Sequence, residues 1–162
     1  MLSISRDLLA GRLAYVRKDL EEVLQKVTEA YLDWAPAEGM RTIGGQIAEI
    51  VATEGQFNEV FTGKPFDFGG RYEEVKAMSD LDEILEALRG TRRLTLERLA
   101  AATDEFLAES VPIDPTWFEA GGLSSLPRIE ILQALPMHEW YHTGQLVSYL
   151  WIKGFNPYDV SD

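Results

Sequence analysis

The chain has 162 residues, 46% apolar and 26% charged, with 15 Lys and Arg against 27 Asp and Glu for a net charge of −12. This size and composition suit one globular domain, residues 1–162, with a full hydrophobic core. The acidic balance argues against nucleic acid and anionic membrane surfaces, which need a basic face. The lack of cysteine excludes a disulfide framework, a thiolate metal site and a cysteine nucleophile.

The first predicted helix runs from about Asp7 to Ala30, where Leu9, Leu13, Val16, Leu20, Val23 and Val27 recur at threes and fours. The loop Trp34-Ala35-Pro36-Ala37-Glu38-Gly39 ends it. A second helix runs from Thr42, its N-cap, to Phe61, with Ile43, Ile47, Ile50, Phe57 and Phe61 as its stripe. Gly63, Pro65, Gly69 and Gly70 then mark a loop. The third helix opens at Ser79, where Ser79-Asp80-Leu81-Asp82 resembles a capping box, and carries Leu81, Ile84, Leu85, Leu88, Leu94 and Leu99. A long connection from Thr103 to Ser125 holds Pro112, Pro115, Gly121 and Gly122, and such loops often border a site. The fourth helix starts near Ser125 with Pro127 in its first turn and runs to Lys153, with Gly154 as its C-terminal stop. Ile129, Ile131, Leu132, Leu135, Trp140, Tyr141, Leu146, Val147, Leu150 and Trp151 make it apolar on most sides, the mark of a buried helix. Pro136 inside it predicts a kink just before His138.

No segment reads as a convincing strand, so the predicted fold is an all-α four-helix bundle. The longer links after the second and third helices leave room for a crossover, so simple up-down-up-down order is not required. The N-terminus lacks a basic region leading into an apolar one, and no apolar run reaches the ~20 residues of a membrane span. A cytoplasmic location is expected.

The two histidines, His138 and His142, lie four residues apart in His138-Glu139-Trp140-Tyr141-His142. On a helix that spacing stacks both rings on one face, where they can share a metal ion. The bland alternative is two half-buried core histidines. The run fits the His-Glu-x-x-His expression of zinc proteases, with Glu139 as general base. However, the only carboxylates after His142 are Asp159 and Asp162, no third histidine exists, and no substrate-binding strand is evident. A di-iron carboxylate bundle needs Glu-x-x-His on two helices and is excluded. A mononuclear bundle site remains, with its third ligand on another helix. The helical wheel of the second helix points to Glu54, which falls inside the apolar stripe and demands a metal, a histidine or an arginine as partner. Glu49 lies to one side of that stripe.

The segment His138-Glu139-Trp140-Tyr141-His142-Thr143-Gly144-Gln145-Leu146 resembles the C-terminal signature of the DinB-like (YfiT-like) metalloenzyme superfamily. Thr42-Ile43-Gly44-Gly45-Gln46-Ile47-Ala48-Glu49-Ile50-Val51-Ala52-Thr53-Glu54 resembles that superfamily's second-helix block, and Trp34 before it also fits. The resemblance implies a four-helix bundle not in plain up-down-up-down order. It also implies a divalent metal, usually zinc or nickel, held by three histidines, two of them matching His138 and His142. The third falls at Glu49. Two histidines and one glutamate still form a valid ligand set, shifted toward zinc, iron or manganese; a lost metal with a retained fold is the alternative. Glu49 is therefore the expected third ligand and Glu54 the alternative.

No catalytic residue is assigned. Glu139 and Gln145 are expected beside the site, Trp34, Trp117 and Trp140 as pocket walls, and Gly144 as a point of close helix packing. Arg41 and Arg128 are either surface charges or receivers of an anionic substrate. The resemblance implies a metal-dependent hydrolase, or a transferase moving a low-molecular-weight thiol onto electrophiles, in stress or detoxification. It would act on a small molecule, with any thiol supplied by a cosubstrate, and a homodimer is expected. The rival is a non-catalytic homodimeric bundle with a lost or weakened metal site.

Overall fold

The computed structural model describes residues 5–113 and 122–159. Four long helices form the bundle: α1 (Arg6–Leu24), α2 (Ile43–Phe57), α5 (Leu81–Ala101) and α8 (Ala134–Ile152). Shorter helices α3 (Glu59–Thr62), α4 (Phe68–Lys76), α6 (Asp104–Ala108) and α7 (Arg128–Leu132) lie in the links. Strands β1 (Ser110–Pro112) and β2 (Ser125–Pro127) pair antiparallel, with Val111 opposite Leu126.

Side-chain pairs fix the helix directions. Arg12 meets Gln133 and Arg17 meets Glu139, so α1 and α8 run parallel. Gln46 meets Tyr149 and Thr53 meets His138, so α2 opposes α8. Glu54 meets Arg92 and Asn58 meets Thr95, so α2 and α5 run together. The order is up, down, down, up. α1 and α2 each pack against both α5 and α8, which places α1 across the bundle from α2. The α3–α4 link carries the chain back along α2 before α5, supplying the crossover for which the sequence left room.

Capping explains most helix starts. Ser5, Thr42 and Asp80 each accept a backbone N–H from the first turn of α1, α2 and α5. At α5 the cap is Asp80 rather than Ser79. At the far end of α8, Gly154 takes φ +86° while its N–H donates to Trp151 and that of Phe155 to Leu150. These paired bonds and the left-handed glycine make a Schellman stop, as expected.

Several expected boundaries move. The apolar spacing of the first helix runs past its end: α1 stops at Leu24, and Val27 stays in the core from the following link. α2 stops at Phe57 because the Asn58 side chain donates to the Glu54 carbonyl and the Thr95 hydroxyl, competing with the helix. The glycines at 69 and 70 read as loop yet form the first turn of α4, capped by Asp67. β1 and β2 are too short to show an alternating pattern. The fourth helix breaks at Gln133 into α7 and α8, a turn earlier than predicted, because Pro136 has no N–H for the Leu132 carbonyl. Pro115, Trp117, Gly121 and Asp162 lie outside the described residues.

The core has two apolar halves. One gathers Leu20, Val23, Ile47, Ile50, Leu88, Leu146 and Leu150; the other, Leu9, Leu13, Phe57, Leu99, Leu132 and Leu135. Between them, along every long helix, sits one buried charge: Arg17, Glu54, Arg92 and Glu139. Gly55 borders this level. A Cβ there would stand 2.3 Å from the Phe66 ring, so only glycine admits that ring against α2.

Candidate metal centre

α2 and α8 each present a polar row on the face where they meet. On α2 the row is Gln46, Glu49 and Thr53; on α8 it is His138, His142 and Gln145. The i, i+3, i+4 and i+7 spacings keep each row on one side of its helix. Because the helices are antiparallel, His142 lies against Gln46 and His138 against Thr53.

The rings converge through the same nitrogen. His142 Nε2 lies 3.1 Å from His138 Nε2, with the rings at 70° to one another. A carboxylate oxygen of Glu49 joins them, and the three donor atoms lie within 4.8 Å of one another. Metal–nitrogen bonds of about 2.0–2.1 Å are long enough to close the gap between the two rings. The donor set is chemically apt: two imidazoles and one carboxylate suit zinc, iron or manganese. His142 Nδ1 faces two side-chain oxygens, Gln46 Oε1 at 2.5 Å and Gln145 Oε1 at 2.8 Å. Metal-bound histidines generally place their second ring nitrogen against such an acceptor.

Both rings are neutral at neutral pH. Burial pushes His138 down to about 4, with His142 and Arg41 adding to the shift. Burial also takes His142 down to about 4; Gln145 opposes this and Arg41 reinforces it. Neutral imidazole is the form that binds a metal. Arg41, on the lip before α2, reaches Glu49 Oε2 at 3.2 Å and leaves its side chain 49% exposed.

Glu54 belongs elsewhere. Arg92 Nε meets its Oε1 at 2.7 Å and Arg17 Nη2 its Oε2 at 2.9 Å. Burial alone would raise this carboxyl, but the two guanidiniums outweigh burial and hold it below its usual range. The wheel correctly identified a buried acid in need of a partner, and the partner is a pair of arginines. Glu139 faces the same arginines, with Arg17 Nε at 2.7 Å and Arg92 Nη2 in contact. It is thus neither solvated nor poised as a general base of the His-Glu-x-x-His kind.

Gln145 lies beside the histidines, its Oε1 2.8 Å from His142 Nδ1. Trp34 packs edge-on against Tyr149, at 5.9 Å between ring centres, and Tyr149 reaches His142 through Gln46. Trp140 does not wall the site: it turns to α1, where its Nε1 donates to Asp19 and its ring abuts Tyr15. Gly144 is exposed, and an added Cβ would meet nothing within 4 Å, so it is not a packing contact. Arg128 stacks on Phe106 and pairs with Glu109, away from the histidines. It borders a cavity of about 570 Å³ that includes neither histidine nor Glu49.

Sequence reading missed Gln46, Arg17 and Arg92. The signal for the arginines was present: Arg17 falls between Leu13 and Leu20, and Arg92 between Leu88 and Leu99, in the apolar rows of their helices.

An up-down-down-up bundle with two histidines and a carboxylate between its second and fourth long helices defines a helical-bundle protein with a candidate mononuclear metal centre. Residues 12–146 match the family model of the DinB superfamily, and the chain belongs to that superfamily. Its fold is similar to that of YfiT from Bacillus subtilis, with a TM-score of 0.68 at 17% sequence identity. The match covers 96% of this chain and 93% of that one, which is described as a probable metal-dependent hydrolase with an unusual four-helix bundle topology. No curated protein matches the chain.

Proposed function

We propose that this chain is a divalent-metal-dependent enzyme, a hydrolase or a transferase of low-molecular-weight thiols, acting on a small molecule in the cytoplasm. The observation that carries the reading is the convergence of His138 Nε2, His142 Nε2 and a Glu49 oxygen. These three residues would hold the metal, with zinc or nickel first and iron or manganese next. When bound, such a metal lowers the pKa of a coordinated water or thiol toward neutrality and so supplies a nucleophile.

The chain's own residues set the frame. The two imidazoles are neutral at neutral pH, so binding a cation requires no net loss of a proton from either ring. Glu49 brings one negative charge, and Arg41 balances it at the mouth. The exposed side of Arg41 is suited to an anionic group on the substrate. Glu139, with its oxygens occupied by arginines, takes no part in proton transfer. With no cysteine in the chain, a thiol would have to arrive as cosubstrate.

A second reading has one observation in its favour. Glu49 is already ion-paired with Arg41, as in a bundle that has lost its metal. Exposed Tyr15, Met137, Trp140 and Tyr141 on α1 and α8 fit the homodimer expected under either reading.

The test is elemental analysis of chelator-free protein after loading with zinc, nickel, iron or manganese. One metal per chain in the wild type, lost in His138→Ala and weakened in Glu49→Ala, supports the enzyme. Sub-stoichiometric uptake of all four metals favours the inert bundle.

A further inference from the structure

Gln46 does more than touch His142. Its other terminal atom, Nε2, donates to the Tyr149 hydroxyl at 3.1 Å, and that hydroxyl donates to the Arg41 carbonyl at 3.1 Å. Gln46 and Tyr149 are both buried, so water does not readily replace these bonds. The Tyr149 ring is itself held edge-on by Trp34.

Counting protons along this chain leaves one arrangement. A phenol has one proton, and the Arg41 carbonyl, which only accepts, takes it. The phenol oxygen can then only accept from Gln46, so the amide must turn its NH2 toward Tyr149 and its oxygen toward His142. That oxygen accepts from Nδ1, as does the Gln145 oxygen. A neutral imidazole carries a single N–H. With the proton on Nδ1, His142 Nε2 is a bare lone pair aimed at His138 and Glu49.

We infer that Gln46, held by Tyr149 and the Arg41 carbonyl, is a positioning residue that locks His142 in its Nδ1–H tautomer and aims its Nε2 at the cluster. A second consequence concerns His138. The 3.1 Å contact between the two Nε2 atoms needs one proton, and His142 has none to give there. His138 therefore donates from Nε2 in the metal-free protein. Taking up a cation then requires a tautomer change of His138 alone: its proton leaves Nε2 and Nδ1 becomes the protonated nitrogen. One ligand is set in advance and the other switches.

The link to metal rests on the function proposed above; the tautomers do not. The test begins with chelator-treated, ¹⁵N-labelled full-length protein and long-range ¹H–¹⁵N correlation spectra of its two histidines. The expected result is Nδ1–H for His142 and Nε2–H for His138. Zinc is then titrated against a chromophoric chelator for wild type, Tyr149→Phe and Gln46→Leu. Tyr149→Phe keeps the ring against Trp34 and removes only the hydroxyl, freeing the amide to flip. It should mix the His142 tautomers and weaken zinc about tenfold, and Gln46→Leu should weaken it about 10–100-fold. An Nε2–H His142 in the wild type overturns the inference, as does a Tyr149→Phe variant with wild-type tautomers and zinc affinity. A wild type that shows Nδ1–H at His142 but takes up no zinc removes the enzyme reading and leaves the tautomer lock standing.

Discussion

Two polar clusters share α2 and α8, and they differ in completeness. Arg17, Glu54, Arg92 and Glu139 contribute two positive and two negative charges, one from each long helix. Their remaining guanidinium donors reach backbone carbonyls, Arg17 to Leu88 and Arg92 to Leu13. Burial alone would lower the Arg17 pKa, but the two glutamates outweigh burial and raise it. The other cluster, His138, His142 and Glu49, brings two imidazole nitrogens and a carboxylate oxygen to one point with a single half-exposed arginine beside it. The first is closed and needs nothing more. In the second, both imidazoles and a carboxylate converge on a space suited to a cation. Burial of charge alone therefore does not mark a candidate metal site; ligand atoms from three residues converging on one point do.

The comparison can be broken at either cluster. The largest effect is expected from Arg92→Ala, which strands Glu54 and Glu139 in the core. Loss of one member of a buried ion network costs about 3–5 kcal/mol, measurable as a lower urea midpoint with an unchanged slope. A loss below about 1 kcal/mol would show that water reaches this layer. Next, His142→Ala should lower zinc affinity at least about 100-fold, since two donors alone make a poor site. Its stability at neutral pH should change far less than that of Arg92→Ala, and thermal unfolding of the two variants side by side checks this.

A third test uses pH. The folded-state pKa of each histidine, about 4, lies below the unfolded value of 6.5. Between these values the unfolded chain binds protons that the folded chain refuses, so stability is present above pH 6.5 and drains away as pH falls toward 4. Replacing both histidines with Gln should flatten that part of the stability profile; an unchanged slope would mean that the rings are not buried neutral. The smallest effect is expected at Gly144. Alanine there meets open space and gains about 0.5–1 kcal/mol of helix stability. A loss on substitution would reveal a packing partner at that exposed position.

Much of this was legible in the sequence. Periodic apolar residues marked all four long helices, and the four-residue spacing of the histidines placed both rings on one face. The link lengths allowed the crossover. What escaped detection depended on tertiary partners. The wheel set Glu54 in the apolar stripe but left its partner open, and only the neighbouring helices show that it faces two arginines. The DinB-like resemblance singled out Glu49 where the wheel singled out Glu54. Gln46 sits among the isoleucines of α2 and gains meaning only when Tyr149 and His142 arrive from α8. The break at Gln133 and the helix over Gly69 and Gly70 follow from local backbone chemistry that apolar periodicity does not report.

The charged layer has a mechanical consequence. Glu54 follows Thr53 and Glu139 follows His138, so each helix carries its anchor one residue from the polar row it presents. Were α8 to slip by a single turn, Glu139 would slide off both guanidiniums into hydrocarbon and the ratchet would be driven back. The bundle is pinned against axial sliding at that height, and the elevation of the imidazoles over α2 is set by a bolt that never touches them.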